Sequence, residues 1–200
     1  MARGRTRQIT KRRFRKDPFI ILKTERVVLT PWQTDDWHAL HRIASDPEVM
    51  RYITGGNAWS EAQTQEFVAR QMRHFTERGF CLWKVQLNGD NEAVGLCGIQ
   101  PLDGTSEIEI GWWLARRHWG EGIATEAARI AMRDAYTRVG LDHLVAIARA
   151  ENAPSLRIME KLGMKYEREH VHRGIPVVMF GIARTDWRRR NEADARRMQE

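Results

Sequence analysis

Apolar and polar residues alternate in some stretches of this chain and recur at helical spacing in others, and the switches between the two periods mark out its elements. "ILKTERVVLTPW" reads as a first strand, ended by Pro31. Thr34 is the expected N-cap of a helix that opens with Asp35 and Asp36. Its apolar face holds Trp37, Leu40 and Ala44, with His41 beside them. "SDPEVMRYITGG" predicts a short helical piece that breaks at Gly55 and Gly56. Ser60 with Gln63 forms a capping box for a helix running to about Arg78, apolar at Val68, Met72 and Phe75.

Three strand-like runs follow, "FCLWKVQL", "EAVGLCGIQPL" and "SEIEIGWWLA", separated by "NGDN" and "DGTS". Asn-Gly and Asp-Gly are hairpin signals, so the expectation is an antiparallel meander. A helix is predicted from Gly122 to about Val139, with Ile123, Ala127, Ile130 and Ala131 on one face and Gly140 as its stop. "HLVAIARA" reads as a short central strand, and "NAPSLRIMEKLG" as a capped helix ending at Gly163. "MKYEREHVH" and "VVMFGIAR" predict two closing strands around the turn "RGIP". The C-terminal "RRRNEADARRMQE" is charged on every side, a solvated helix or a fray, and no internal repeat is visible.

Composition adds limits. With 200 residues, 42% of them apolar, the chain fits one soluble domain with a real core. No apolar run approaches the roughly 20 residues of a membrane helix, and "MARGRTRQITKRRFRKD" lacks the apolar centre of a signal peptide. Cys81 and Cys97 lack metal-ligand spacing and read as reduced thiols of a cytoplasmic protein. The net charge of +7 belongs to residues 1–17, which carry eight of the 33 basic residues and one of the 26 acids, leaving 25 of each elsewhere. That segment is expected to be a disordered, solvated extension or an electrostatic tether to RNA or the ribosome.

One stretch carries chemistry. In "RRHWGEGIAT", Arg117-x-x-Gly120-x-Gly122 follows a strand and opens a helix. Glycines let backbone N–H groups converge on an anion without Cβ obstruction, and the helix N-terminus adds its positive dipole. No Gly-Lys-Ser/Thr follows, so this is no P-loop. The third glycine and ribose-binding acid of a dinucleotide fingerprint are also missing.

In its context of strand, two helices, three antiparallel strands, this loop, helix, strand, "N-x-x-S…EKLGM" helix and two strands, the chain resembles the GNAT superfamily of N-acetyltransferases over about residues 22–185. "TERVVLTPW", "DPEVMRYI", "EIGWWLARRHWGEGIATEA" and "ENAPSLRIMEKLGMKYE" are most similar to the ribosomal-protein N-terminal acetyltransferase subgroup. The resemblance implies an α/β fold whose mixed, mostly antiparallel central sheet has splayed fourth and fifth strands and is flanked by helices. The implied domain spans 18–185, between the basic tail 1–17 and a charged tail 186–200. It further implies acetyl-CoA as cosubstrate, with its pyrophosphate on Arg117, Gly120, Glu121, Gly122, Ile123, Ala124 and Thr125. Its pantetheine would lie along backbone groups of Trp113, Leu114 and Ala115, and Asn152 and Ser155 would complete the cofactor site. Asn152 and Ser155 also read simply as helix-capping residues.

Acetylating an amine requires that it be neutral, and a lysine amine titrates near ~10.4 and an α-amine near ~8, so a base must take or relay a proton. Period-two alternation puts Glu107, Glu109, Gly111 and Trp113 on one strand face. By resemblance Glu109 is the base, acting through water; a surface ion pair is its alternative role and the favoured one for Glu107. The tyrosine that many members use to protonate the leaving thiolate is replaced by Met159. Ser155 or water would then supply that proton to a thiolate whose pKa near ~8.5 already makes it a tolerable leaving group. Backbone N–H groups near Trp113 or Leu114 would hold the oxyanion. Tyr52, Trp59 and Trp113 are candidates for the acceptor pocket. His118 could approach phosphate or simply face solvent. His170 and His172 share a strand face without a third ligand, so no metal is expected.

The expected activity is transfer of acetyl to a protein N-terminal α-amine. The alternatives are a small-molecule amine acetyltransferase (polyamine, amino sugar or antibiotic) and an acetyl-CoA-sensing module on ribosomal RNA. No membrane partner is expected, and the protein is a monomer or a homodimer.

Overall fold

The computed structural model describes residues 20–197. The basic tail 1–17, and with it the RNA tether, lies outside the described residues. The chain builds one eight-stranded sheet, in the order β1-β2-β3-β4-β5-β6-β8-β7. Strands β1 (Leu22–Lys23), β2 (Val27–Thr30), β3 (Leu82–Leu87), β4 (Ala93–Pro101) and β5 (Ile108–Leu114) pair antiparallel in sequence order. Strand β6 (His143–Ala148) runs parallel to β5, and β8 (Ile175–Ala183) inserts antiparallel between β6 and β7 (Lys165–His172). Helices α1 (Trp37–Ala44), α2 (Pro47–Met50) and α3 (Glu61–Arg78) precede the meander; α4 (Ile123–Asp134), α5 (Ala153–Leu162) and α6 (Arg184–Arg197) follow it. Among the described residues no helix is long and apolar enough to cross a membrane.

The two sheet faces are covered differently. Ile110 and Leu114 of β5 share a core with Ile123, Ala127 and Ala131 of α4 and with Met159 and Leu162 of α5. Against the opposite face pack Leu40 of α1 and Phe67 and Val68 of α3, around Leu82 and Leu96. The period-two reading of β5 therefore assigns its faces correctly, with Ile108, Ile110, Trp112 and Leu114 toward α4 and α5. The charged C-terminal stretch continues as helix α6, on which Trp187 packs with Tyr136 at a ring separation of 5.0 Å.

Several sequence signals hold at atomic detail. Gln63 N–H donates to Ser60 Oγ at 3.2 Å, and Ser60 N–H donates back to Gln63 Oε1 at 2.8 Å. The helix so capped ends at Arg78, as expected. Helix α4 continues as a π-helical turn, Ala135–Val139, and Gly140 stops it at φ 76°, as Gly163 stops α5 at φ 82°, both in the left-handed region that side chains disfavour.

Three expectations need correction. "ILKTERVVLT" is two strands, because Thr24 N–H bonds the Val27 carbonyl at 3.0 Å and Thr24 Oγ accepts from Val27 N–H at 3.1 Å, closing a turn. The family's fourth and fifth strands are therefore β5 and β6 here. Thr34 is not an N-cap: it begins a 3₁₀ turn, Thr34–Asp36, in which Asp36 accepts from the Gln33 N–H at 2.7 Å. The final turn is shorter than "RGIP": β8 starts at Ile175, and Arg173 and Gly174, both at positive φ, make a two-residue hairpin.

Candidate active site

The loop after β5 has the features of an anion cradle. Gly120 and Gly122 lie at φ 80° and 79°, and a Cβ on Gly120 would meet nothing within 4 Å. Helix α4 then starts without any side-chain cap, so the first N–H groups, those of Ile123, Ala124 and Thr125, keep no intrahelical partner. An anion there gains both the free donors and the helix dipole. Position rather than chance holds the loop: Arg26, in the β1–β2 turn, donates to the Glu121 carbonyl at 2.9 Å and pairs with Glu126 at 2.5 Å. Glu126 also accepts from Thr24 Oγ at 2.6 Å, and these partners hold its carboxyl below the ordinary glutamate range despite the opposing desolvation. Sequence reading missed Arg26, because its partners lie about a hundred residues away. Arg117, at the start of the loop, is exposed, donates to His118 at 3.1 Å and reaches Glu92 at 3.5 Å. His118 also faces Glu121 at 3.4 Å.

Beside this loop the sheet opens. Strands β5 and β6 pair at one register position, Glu109 with Val145, and diverge beyond it. The phase of the pleat decides which amides face the gap. Ala115 N–H bonds the Val94 carbonyl at 2.9 Å, and strict alternation along the β4–β5 ladder then turns the main-chain groups of Trp113, Gly111 and Glu109 toward β4 as well. The groups facing β6 are those of Ile110, Trp112 and Leu114. The Leu114 carbonyl is already held by the Trp119 indole N–H at 2.9 Å. Backbone contacts expected at Trp113, Leu114 and Ala115 are thus corrected by one pleat: Trp113 and Ala115 are engaged with β4, and the free N–H groups belong to Trp112 and Leu114.

On the other face of β5 stand Glu109 and Trp113. Burial pushes the Glu109 carboxyl up, and the Gln100 amide, donating to it at 2.6 Å, opposes that shift. Gln100 is itself oriented: its carbonyl accepts from Gln71 Nε2 at 3.0 Å, and the Gln71 carbonyl accepts from the Leu82 N–H at 2.9 Å. One backbone amide therefore determines the orientation of two side-chain amides and the carboxylate at the end of the chain. Neither glutamine shows any sequence signal. Trp113 joins Trp59 and Phe67 in an aromatic wall, with ring separations of 4.9, 5.2 and 5.7 Å. Gly111 lies between Glu109 and Trp113 and contributes no side chain; a Cβ there would lie 3.7 Å from Leu82 Cδ2.

The remaining candidates sort by their contacts. Asn152 caps α5, its carbonyl accepting from Ser155 N–H at 3.3 Å, and the Ser155 hydroxyl has no partner among the described residues. Met159 is buried in the core, and its thioether has no proton to give. Tyr52 lies in the turn after α2 with Arg51 over its ring at 5.5 Å, and its ring does not pair with those of the aromatic wall. Glu107 is a surface ion-pair partner of His143 at 3.6 Å and Arg168 at 3.5 Å. Cys81 and Cys97 are free and buried. Among the described residues no three His, Cys, Asp or Glu side chains converge as a metal site.

This architecture agrees with comparisons to known proteins. A family model, described as an acetyltransferase (GNAT) domain, matches residues 26–165. A Bacillus subtilis protein, YkkB, is 33% identical over 74% of this chain and 86% of its own length. The spermidine N(1)-acetyltransferase of Escherichia coli K12 is 28% identical over 73% of this chain and 76% of its own length. A crystal structure of a GNAT-family acetyltransferase from Bacillus anthracis superposes with a TM-score of 0.70 at 29% identity, covering 82% of this chain and 98% of that one. The chain belongs to the GNAT family of acetyltransferases, enzymes that use acetyl-CoA.

Proposed function

We propose that the protein transfers acetyl from acetyl-CoA to a protein N-terminal α-amine, and that β5 carries the reaction, with its edge toward β6 for the cofactor and its Glu109–Trp113 face for the acceptor. The observation that carries this reading is the coincidence, on one seven-residue strand, of free N–H groups in the gap and an oriented carboxylate on the same face as the aromatic wall. The pyrophosphate sits on the N–H groups from Gly120 to Thr125, with Glu121 in the loop backbone, and Asn152 and Ser155 flank the cofactor from α5. Pantetheine pairs with the Trp112 and Leu114 main chain as an added strand.

Glu109, through water, removes the proton from the incoming ammonium. The neutral nitrogen attacks the thioester carbonyl, and its oxygen gathers negative charge beside a free β5 N–H. The carbon–sulfur bond then breaks as the nitrogen gives up its second proton to solvent water, and CoA leaves as thiolate, protonated in turn from water or from Ser155, whose hydroxyl recovers its proton from solvent. Gln100 and Gln71 act as positioning residues, since the Gln100 N–H contact fixes which Glu109 oxygen is held and which is free. Trp59 and Trp113 line the acceptor side, with Tyr52 at its margin.

Similarity to the spermidine enzyme favours a second reading, a small-molecule amine acceptor. A thiol-release assay with acetyl-CoA separates the two. Turnover of free N-terminal peptides that disappears when the α-amine is blocked supports the first. Turnover confined to small amines supports the second, and binding of acetyl-CoA without turnover of any amine points to a sensing module.

A further inference from the structure

The acceptor end of the site carries an unbalanced set of charges. Arg70, on α3 next to Gln71, is half-buried with its guanidinium over the Phe67 ring at 5.2 Å. Among the described residues it makes no hydrogen bond and no ion pair. Two carboxylates act on it from nearby, Glu66 and Asp103, yet each already holds another arginine. Glu66 pairs with Arg73 at 2.8 Å, and Asp103 on the β4–β5 turn pairs with Arg173 on the β7–β8 turn. Three arginines thus share two committed acids, with Glu109 as the third negative group whenever it is ionised. Once Glu109 takes a proton from the acceptor amine, this end of the site is left with a net positive charge. Desolvation and the neighbouring Arg173 and Arg73 already disfavour the charged form of Arg70.

A guanidinium so placed, stacked on an aromatic ring and without a carboxylate of its own, suits a planar oxyanion arriving with the acceptor. We infer that the acceptor carries an oxyanion, a carboxylate or a phosphate, within a few atoms of the amine, and that Arg70 binds it against the Phe67–Trp113 wall. This rests on the acetyltransferase reading and narrows it. For a peptide acceptor it means an acidic residue close to the N-terminus. A polyamine is disfavoured, because its second ammonium would enter a field already positive.

The test uses N-terminal serine peptides that differ only at the second residue, Glu, Gln, Lys or phosphoserine, with spermidine alongside. Each is assayed for CoA release and, separately, for binding by calorimetry to the protein saturated with CoA. A charge-assisted hydrogen bond implies kcat/KM about tenfold higher for the Glu peptide than for the Gln peptide, with Lys lower still. Arg70→Gln should erase that preference, bringing the Glu-to-Gln ratio from about tenfold to about one, and Arg70→Lys should restore part of it. A phosphoserine peptide that outperforms Glu supports the same site with phosphate as the oxyanion. Equal rates for Glu, Gln and Lys, a preference for spermidine, or an Arg70→Gln variant that slows every peptide alike overturns the inference. Calorimetry separates the two readings: Arg70-dependent binding of the Glu peptide without CoA release removes acetyl transfer but keeps the oxyanion site. Absence of both binding and turnover across the set removes both.

Discussion

Replacing Gly120 by alanine isolates the anion cradle from the rest of the fold. At φ 80° an alanine is held in the left-handed region, at a cost of about 1 kcal/mol to the folded state. No protein atom lies within 4 Å of the added methyl, so packing contributes nothing further. For a domain of this size that corresponds to a melting temperature lower by about 3 °C. The methyl does, however, occupy the open side of the loop, where the pyrophosphate must approach the amides. Losing one charge-assisted hydrogen bond there costs about 1.5–3 kcal/mol, a roughly tenfold to hundredfold weaker Kd for acetyl-CoA. Gly104, at φ 77° and also with nothing within 4 Å of an added Cβ, lies on the β4–β5 turn and provides the control. Gly104→Ala should lose the same stability and keep acetyl-CoA affinity. Titration calorimetry and thermal unfolding of both variants make the comparison. Equal acetyl-CoA affinity in wild type and Gly120→Ala, or equal loss of affinity in both variants, refutes the placement of the diphosphate.

Three further expectations concern other parts of the molecule. Glu109→Gln should reduce kcat by about a hundredfold at pH 7, the ordinary contribution of a general base, and by less at pH 9, where an α-amine is already neutral. Because burial raises this carboxyl in the folded state, the native protein binds the proton more readily than the unfolded chain between the ordinary and the raised pKa. Its contribution to stability is therefore lost as pH rises through that window, and Glu109→Gln should gain melting temperature over wild type at pH 8 but not at pH 4. Tyr136→Phe removes a buried donor to the Ile182 carbonyl at 2.7 Å and should cost about 2 kcal/mol in denaturant unfolding while leaving the KM for acetyl-CoA unchanged. Burial pushes both thiols, Cys81 and Cys97, well above the ordinary cysteine range, so iodoacetamide should label neither in the folded protein and both after unfolding; labelling of the native form would contradict their enclosure.

What the chain determined by itself is what lies within a turn or two of sequence. The Ser60–Gln63 box, the meander of β3 to β5, the two faces of β5 and the stops at Gly140 and Gly163 follow from contacts between near neighbours, and each is visible as a local pattern. The paired glycines before α4 were legible for the same reason, since a left-handed backbone and an uncapped helix start are properties of a few consecutive residues. Tertiary structure decided everything that needed a distant partner. The insertion of β8 between β6 and β7, the Arg26 contact with Glu121, and the Gln71–Gln100–Glu109 chain each join residues brought together only by the sheet. The phase of the β5 ladder also depends on pairing with β4, which is why the free amides belong to Trp112 and Leu114 and not to their neighbours. Arg70 reads in sequence as one more charge on a helix; only the commitment of Glu66 and Asp103 to other arginines leaves its guanidinium without a partner among the described residues. Side-chain period reports which way a residue points, whereas hydrogen-bond partners and charge balance depend on what the fold places opposite.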